Sequence, residues 1–184
     1  MQGQNYSYAD YLAWEGFRRV EIIQGVMIEL SPVTRMHQKV CGEIFRQISN
    51  CLIGKNAEVY LAPFAVRPFE KVGDTATLVD TVVEPDIVVI SNREMLDDNG
   101  YCGALDLIVE VVSQESQRYD RQTKFNLYAE AGVREYWLMD IHLKVAQSFL
   151  LDDGYYVAHA FGSAEDSIQS QVIDCSVDLQ KVFE

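Results

Sequence analysis

The sequence predicts an α/β (α+β) fold, a central mixed β-sheet flanked by helices. Three observations carry this. Two continuous β-branched runs, Asp86-Ile87-Val88-Val89-Ile90 and Leu107-Ile108-Val109-Glu110-Val111-Val112, lack the polar alternation of a half-exposed strand. Such runs mark strands covered on both faces. From Thr34 to about Ile53, the residues Val40, Ile44, Ile48 and Leu52 recur every four positions and form one helical stripe. Ser116 to Ala131 reads as a second helix, closed by Gly132. Helices interleaved with buried strands require a layered sheet architecture.

The remaining elements follow in order. Ser7 reads as the N-cap of a short helix running to Phe17. Val20–Ile23 and Val26–Leu30 flank Gln24-Gly25, which predicts an N-terminal hairpin. Ser31-Pro32 ends it. Glu58 to Phe69 reads as a strand interrupted near Pro63 and Pro68, and Lys71 to Asp80 as a polar loop. Glu135–Asp140 is a further strand. Lys144–Leu150 and Tyr155–Phe161 flank Asp152-Asp153-Gly154, a strong hairpin signal. The last 23 residues, from Gly162, are weakly patterned. The whole reads as one domain over 1–184, with an N-terminal helix and hairpin (7–30), a core (34–141), and a C-terminal hairpin and tail (142–184).

Composition narrows the function. The 184 residues carry 15 Lys and Arg against 28 Asp and Glu, a formal net charge of −13. A chain this long buries roughly 70% of its unfolded surface, so it needs no disulfide or metal staple to fold. Cys41, Cys51, Cys102 and Cys175 form no CxxC pair, and His37, His142 and His159 form no HExxH. Reduced thiols, no signal-like start at Met1–Tyr6 and no membrane-length apolar run point to the cytoplasm. Indiscriminate coating of nucleic acid is disfavoured at this charge, because phosphate contacts supply most non-specific affinity. The acidity is uneven. Asp152 to Glu184 holds seven acids and one base, so a locally basic face remains open elsewhere. No GxSxG elbow and no glycine-rich phosphate loop occurs, which argues against a serine hydrolase or a nucleotide-binding enzyme.

The residue that breaks the pattern is Glu110, an acid inside a run that wants full burial. A lone buried carboxylate costs several kcal/mol unless it is paired, protonated or bound to a metal. It is therefore either an ion-paired core glutamate or a metal or acid–base ligand. Asp86 opens the neighbouring run directly after Pro85, and side-by-side strands would bring the two acids together. Two carboxylates about 4 Å apart repel by roughly 4 kcal/mol at an effective dielectric of 20, so such a pair needs a cation or a shared proton. An oxygen-only ligand set, with no His or Cys, points to Mg²⁺, with Mn²⁺ able to substitute. Asp120, Lys124 and Tyr128 fall on one helix face. Lys124 either reaches that pair or forms a surface ion pair with Asp120. Asp106 shares the strand face of Glu110 and either assists as an accessory acid or solvates the strand start. Arg35, Lys39 and Arg46 on the first long helix, with Arg118 and Arg121 on the second, either contact DNA phosphates or form solvated helix faces.

The ordered set Val83-Glu84-Pro85-Asp86-Ile87-Val88-Val89, then Asp106-Leu107-Ile108-Val109-Glu110-Val111-Val112-Ser113, then Asp120…Lys124…Tyr128-Ala129…Gly132-Val133-Arg134-Glu135-Tyr136-Trp137…Asp140 resembles the Uma-type restriction-endonuclease family of the PD-(D/E)XK nuclease superfamily. The opening Val20–Gly25 and the Ser31-Pro32…His37 segment resemble it too, so the likeness runs from about Tyr8 to Tyr156. The resemblance implies a restriction-endonuclease-like core of helix, three-stranded antiparallel meander, helix and returning strand. It implies phosphodiester hydrolysis in DNA by metal-activated water. Asp86, Glu110 and the backbone carbonyl of Val111 would be metal ligands, and Lys124 would orient the water or stabilise charge on the phosphate. Glu21 and His37 would be accessory. One departure stands out: the position two residues after Glu110 is Val112 instead of the superfamily lysine, so the lysine must come from the helix.

A nuclease that cuts both strands is expected to work as a homodimer, and a separate partner could supply DNA targeting. The rival reading is a catalytically inactive nuclease-fold module for interaction or nucleic-acid binding, which the net charge favours. The retained Asp86, Glu110 and Lys124 favour the enzyme.

Overall fold

The computed structural model describes residues 5–113 and 116–184. Residues 1–4, part of the start read for a secretory signal, lie outside the described residues. In chain order the elements are α1 (Tyr8–Leu12), β1 (Val20–Ile23), β2 (Val26–Glu29), α2 (Arg35–Cys51), β3 (Glu58–Leu61), β4 (Ala65–Arg67) and β5 (Ile87–Ile90). There follow β6 (Leu96–Asp97), β7 (Gly100–Cys102), β8 (Leu107–Val112), a π-helical turn (Tyr119–Lys124) that runs into α3 (Phe125–Glu130), and β9 (Glu135–Asp140). The chain closes with β10 (Val145–Asp152), β11 (Tyr155–Ser163), β12 (Ser167–Gln169), β13 (Ser176–Asp178) and α4 (Leu179–Phe183). Among the described residues no helix is long and apolar enough to cross a membrane.

The central sheet is mixed and six-stranded, in the order β11-β10-β9-β8-β5-β3. β3, β5 and β8 form an antiparallel meander, and β9 returns parallel to β8 after α3. Both apolar runs therefore lie in the middle of the sheet, and every residue of β5, β8 and β9 is buried. The side-chain period of two splits the core. Ile87, Val89, Leu107, Val109, Val111 and Trp137 pack against Val40, Ile44 and Ile48 of α2. Val88, Ile108, Val112, Tyr136 and Leu138 pack against Leu127 and Tyr128 of α3. Glu110 lies between Ile108 and Val112, so alternation sends its side chain toward α3.

The predicted stripe of α2 is buried as spaced, with Thr34 capping through its hydroxyl, which accepts from the His37 N–H. Ser7 and Asp10 form the capping box of α1, but that helix ends at Leu12 and not at Phe17. Phe17 is fully exposed, so no apolar face remains to hold a further turn. Gln24 and Gly25 take positive φ in the β1–β2 turn, as a two-residue hairpin demands.

One further expectation needs correction. Ser116–Ala131 is not one α-helix. Its first half is a π turn, whose wider winding carries Tyr119, Asp120 and Lys124 inward together. The weakly patterned tail packs into the core. Ile168, Ile173, Cys175, Val177, Leu179, Val182 and Phe183 are buried in the α2-side core. Their short elements are too brief to show a period, and the burial comes from docking on α2 and the sheet.

Candidate active site

The site forms where β5 begins and β8 ends. In the antiparallel register Ile87 faces Val109, so the chain just before Ile87 meets the residues just after Val109. β5 stops there. The Asp86 carboxylate continues the ladder in its place, with Oδ2 accepting the Val111 N–H at 2.8 Å. The N–H and C=O of one strand residue point to the same edge, so the Val111 carbonyl is directed the same way. The Asp86 N–H in turn points at Glu110 Oε2, 3.4 Å away.

Glu110 is almost wholly withdrawn from water and draws partners from the helix behind it. Lys124 Nζ donates to its Oε1 at 2.8 Å, and the Tyr128 hydroxyl donates to the same oxygen at 2.8 Å. Lys124 also lies 2.9 Å from Glu21 Oε1. Glu21, on β1, receives the Tyr119 hydroxyl at 2.7 Å and the Glu84 N–H at 2.8 Å. Lys124 is thus clamped between two buried acids, and the surface ion pair with Asp120 does not form. Asp120 is itself buried, close to Ser116.

The electrostatics follow from burial and crowding. Burial pushes the Glu110 carboxyl well above the usual range. Lys124 opposes the shift, and the charges of Asp86, Asp120 and Glu21 add to it. Burial pushes Asp86 up as well, but the hydrogen bonds from His37 and from the Val111 N–H, with the Lys124 charge, hold it below the usual value. The Lys124 ammonium is penalised by burial, yet Glu110 and Glu21 raise it well above an ordinary lysine.

His37, in the first turn of α2, brings a nitrogen to this oxygen-rich floor. Its Nε2 lies 3.2 Å from Asp86 Oδ2, and the Cys41 Sγ lies 3.5 Å from its Nδ1. Burial pushes the Cys41 thiol up, so it stays protonated beside the imidazole. Donor atoms of His37, Cys41 and Asp86 lie within 4.8 Å of one another, an arrangement able to hold a metal ion. It sets a nitrogen and a sulfur beside the oxygen donors expected from the sequence. The His37–Cys41 pair becomes visible only when the helix at i and i+4 is placed against Asp86.

His37, Glu84, Asp86, Glu110, Asp120 and Lys124 line a cleft of about 690 Å³. Glu84 accepts from the Tyr11 hydroxyl at 2.6 Å and pairs with Arg19 at 3.3 Å, and its buried Oε2 has no hydrogen-bond donor. Five carboxylates (Glu21, Glu84, Asp86, Glu110 and Asp120) thus gather around Lys124, Arg19 and His37. That excess of buried negative charge, with Glu110 pushed up, fits a divalent cation in the cleft.

The family follows from the whole chain. The Uma2 family model, described as "Putative restriction endonuclease", matches residues 8–180. The chain belongs to the Uma2 family. No curated protein matches the chain significantly. Among solved structures, it is similar to a chain titled as a putative nuclease belonging to DUF820 from Anabaena variabilis. The TM-score is 0.75 and the identity 16%, over 97% of each chain. At that identity the likeness shows the shared fold, a nuclease-like mixed sheet with flanking helices.

The other expected site residues fare differently. Glu21 and His37 are at the site. Asp106 is not. It lies four residues before Glu110, about 13 Å along the strand, where it accepts the Ser91 N–H at 2.7 Å and pairs with Arg134 at 2.7 Å. It serves the strand start. Arg121 is tied to Gln147 at 2.6 Å and Asp140 at 3.2 Å, which pins the π turn to the sheet. Arg46 is similarly engaged by Glu43. Arg35, Lys39 and Arg118 are exposed and do not line the cleft. Sequence reasoning missed Arg19, Tyr119 and Cys41. Arg19 and Tyr119 act through partners distant in sequence, and Cys41 acts through its helix neighbour His37, whose role depends on Asp86 of another segment.

Proposed function

We propose that the protein is a Mg²⁺-dependent endonuclease that hydrolyses phosphodiester bonds in DNA. The observation that carries this reading is the convergence of Asp86, Glu110 and Lys124 at the floor of one cleft, from three separate elements. Asp86, Glu110 and the Val111 carbonyl are the residues to hold the ion, with His37 beside them. Mn²⁺ is expected to substitute, since the donors are chiefly hard oxygens. A bound divalent ion supplies Lewis acidity and a water of lowered pKa at neutral pH.

The chain's own residues supply the rest. Asp86 is held ionised and oriented by the Val111 N–H and by His37, so it presents a fixed carboxylate to the cleft. Lys124 places a permanent positive charge against Glu110, where it offsets charge that builds on the phosphate in the transition state. Glu21 and Tyr128 fix the lysine's position, Glu21 directly and Tyr128 through their common partner Glu110. Burial of the cluster excludes bulk water, which strengthens each of these interactions.

One observation favours the rival reading of an inactive interaction module. Lys124 is already neutralised by two carboxylates, and the protein is strongly acidic overall. The test is calorimetric titration of Mn²⁺ into wild type and Glu110→Ala, followed by plasmid nicking with both. Saturable binding and nicking in wild type, both lost in Glu110→Ala, supports the nuclease. A folded wild type that binds no Mn²⁺ overturns it.

A further inference from the structure

The cleft has an apolar wall beside its acidic floor. Ile28 and Leu30 at the end of the N-terminal hairpin, Pro32 and Val33 in the connection to α2, Met36 in the first turn of α2, and Ile141 after β9 contribute to its lining. Val33 and Met36 are open to solvent. The lining holds two Lys or Arg side chains among the described residues, and both are committed. Lys124 is clamped by Glu110 and Glu21, and Arg19 pairs with Glu84. Arg35 and Lys39 stand exposed on α2 on either side of the wall's Met36 in sequence.

A DNA duplex presents two charged backbones with its bases stacked out of reach, and proteins hold it through many free Lys and Arg contacts. This cleft lacks such an array, and the chain carries a formal net charge of −13. An unpaired strand presents something else: one backbone, and base faces that an apolar surface can cover. Acidic floor and apolar wall match two parts of a single nucleotide strand, metal-bound phosphate and base, while Arg35 and Lys39 stand exposed on α2 outside the lining. We infer that the cleft takes single-stranded DNA, with the base beside the scissile phosphate packed on Leu30, Val33 and Met36. This rests on the nuclease reading and names its substrate class. A single strand is cut by one site, so the homodimer expected for duplex cleavage is not required.

The test uses the full chain with Mn²⁺ on an end-labelled oligonucleotide, alone and annealed to its complement, with wild type and Val33→Ser/Met36→Ser. Single-strand cleavage is expected to be at least tenfold faster than duplex cleavage. The variant is expected to raise KM for the single strand by about tenfold with kcat retained, the scale of one lost base contact. Its Mn²⁺ affinity by calorimetry should match wild type, which separates base packing from damage to the metal site. Equal rates on both forms, or an unchanged KM in the variant, overturn the inference and leave the nuclease reading standing. No cleavage of either form by Mn²⁺-loaded protein overturns both.

Discussion

Lys124 Nζ sits 2.8 Å from Glu110 Oε1, and both side chains are withdrawn from water. The pair joins the π turn to the central strand β8, and Glu21 closes it from the β1–β2 hairpin. One ammonium therefore ties three elements, and the sum of its immediate charges remains negative.

Removal of that ammonium tests the arrangement. Lys124→Met keeps most of the side-chain volume but leaves Glu110 and Glu21 facing each other unpaired. Losing one partner of a buried ion pair costs about 3–5 kcal/mol. Thermal unfolding of the apo protein should fall by roughly 10 °C for a chain of this size. Mn²⁺ should recover part of the loss, because an ion that binds only the folded state stabilises it by mass action. A variant with wild-type Tm would show that the cluster does not need the lysine charge.

The raised Glu110 carboxyl makes ion binding pH-dependent. Its folded pKa lies above the unfolded value, so the native state holds its proton more tightly. Apo stability from this group is full below the unfolded value near about 4.3, and falls as pH rises through the folded pKa. A metal ligand must be deprotonated, so Mn²⁺ binding should release protons and tighten as pH rises through that range. Asp86 moves the other way. It contributes stability above its ordinary value that is lost as pH falls through the depressed one. Calorimetry in two buffers of different ionisation enthalpy counts the protons. Equal apparent enthalpies in both would contradict the assignment, and Glu110→Gln should remove the release attributed to Glu110.

Tyr128 offers a milder perturbation. Its hydroxyl donates to Glu110 Oε1 at 2.8 Å, while its ring packs edge-on against Tyr136 at 5.3 Å. Tyr128→Phe deletes the donor and keeps the ring. A hydrogen bond to a charged group is worth about 1.5–3 kcal/mol, so chemical denaturation should show a loss of that order in the apo protein. The loss should shrink when Mn²⁺ takes up the freed oxygen. A larger loss with Mn²⁺ than without it would place Tyr128 among the groups that orient Glu110 for the ion.

What the sequence revealed, and what it hid, has a physical pattern. Glu110 was legible because an acid within a doubly buried strand violates the energetics of its surroundings. Asp86 was legible as the acid opening the neighbouring apolar run, and the α2 stripe through its period. The π turn at Tyr119–Lys124 was not, because helical periodicity assumes 3.6 residues per turn and nothing local marks the wider winding. Asp106 kept two readings for a related reason. Alternation gives a residue's face but not its distance along the strand, and Asp106 sits at the far end beside Arg134. Arg19 and Tyr119 reach the site through partners on other segments, and Cys41 reaches it through His37, one turn away on α2.

The C-terminal tail was the largest omission, and Glu135 shows how it is held. This carboxylate, buried at the start of β9, has no cationic partner. Its Oε1 accepts from the Trp137 indole at 2.6 Å and the Ser148 hydroxyl at 3.1 Å. Its Oε2 accepts from the Ser170 hydroxyl at 2.5 Å and from the N–H groups of Gln171 and Val172 at 3.0 and 3.3 Å. Three of its five donors lie between β12 and β13, so the acid is the polar anchor of the tail hairpin. Glu135→Gln turns one acceptor into a donor that faces other donors, and should cost about 1–3 kcal/mol. Hydrogen exchange should locate the loss first at residues 167–183, with the amides of β5 and β8 following only at global unfolding. Mn²⁺ affinity should be retained, because Glu135 lies at the end of β9 opposite the cleft-lining Ile141 and His142. A variant that loses Mn²⁺ binding while its tail stays protected would mean that Glu135 supports the metal site instead of the tail.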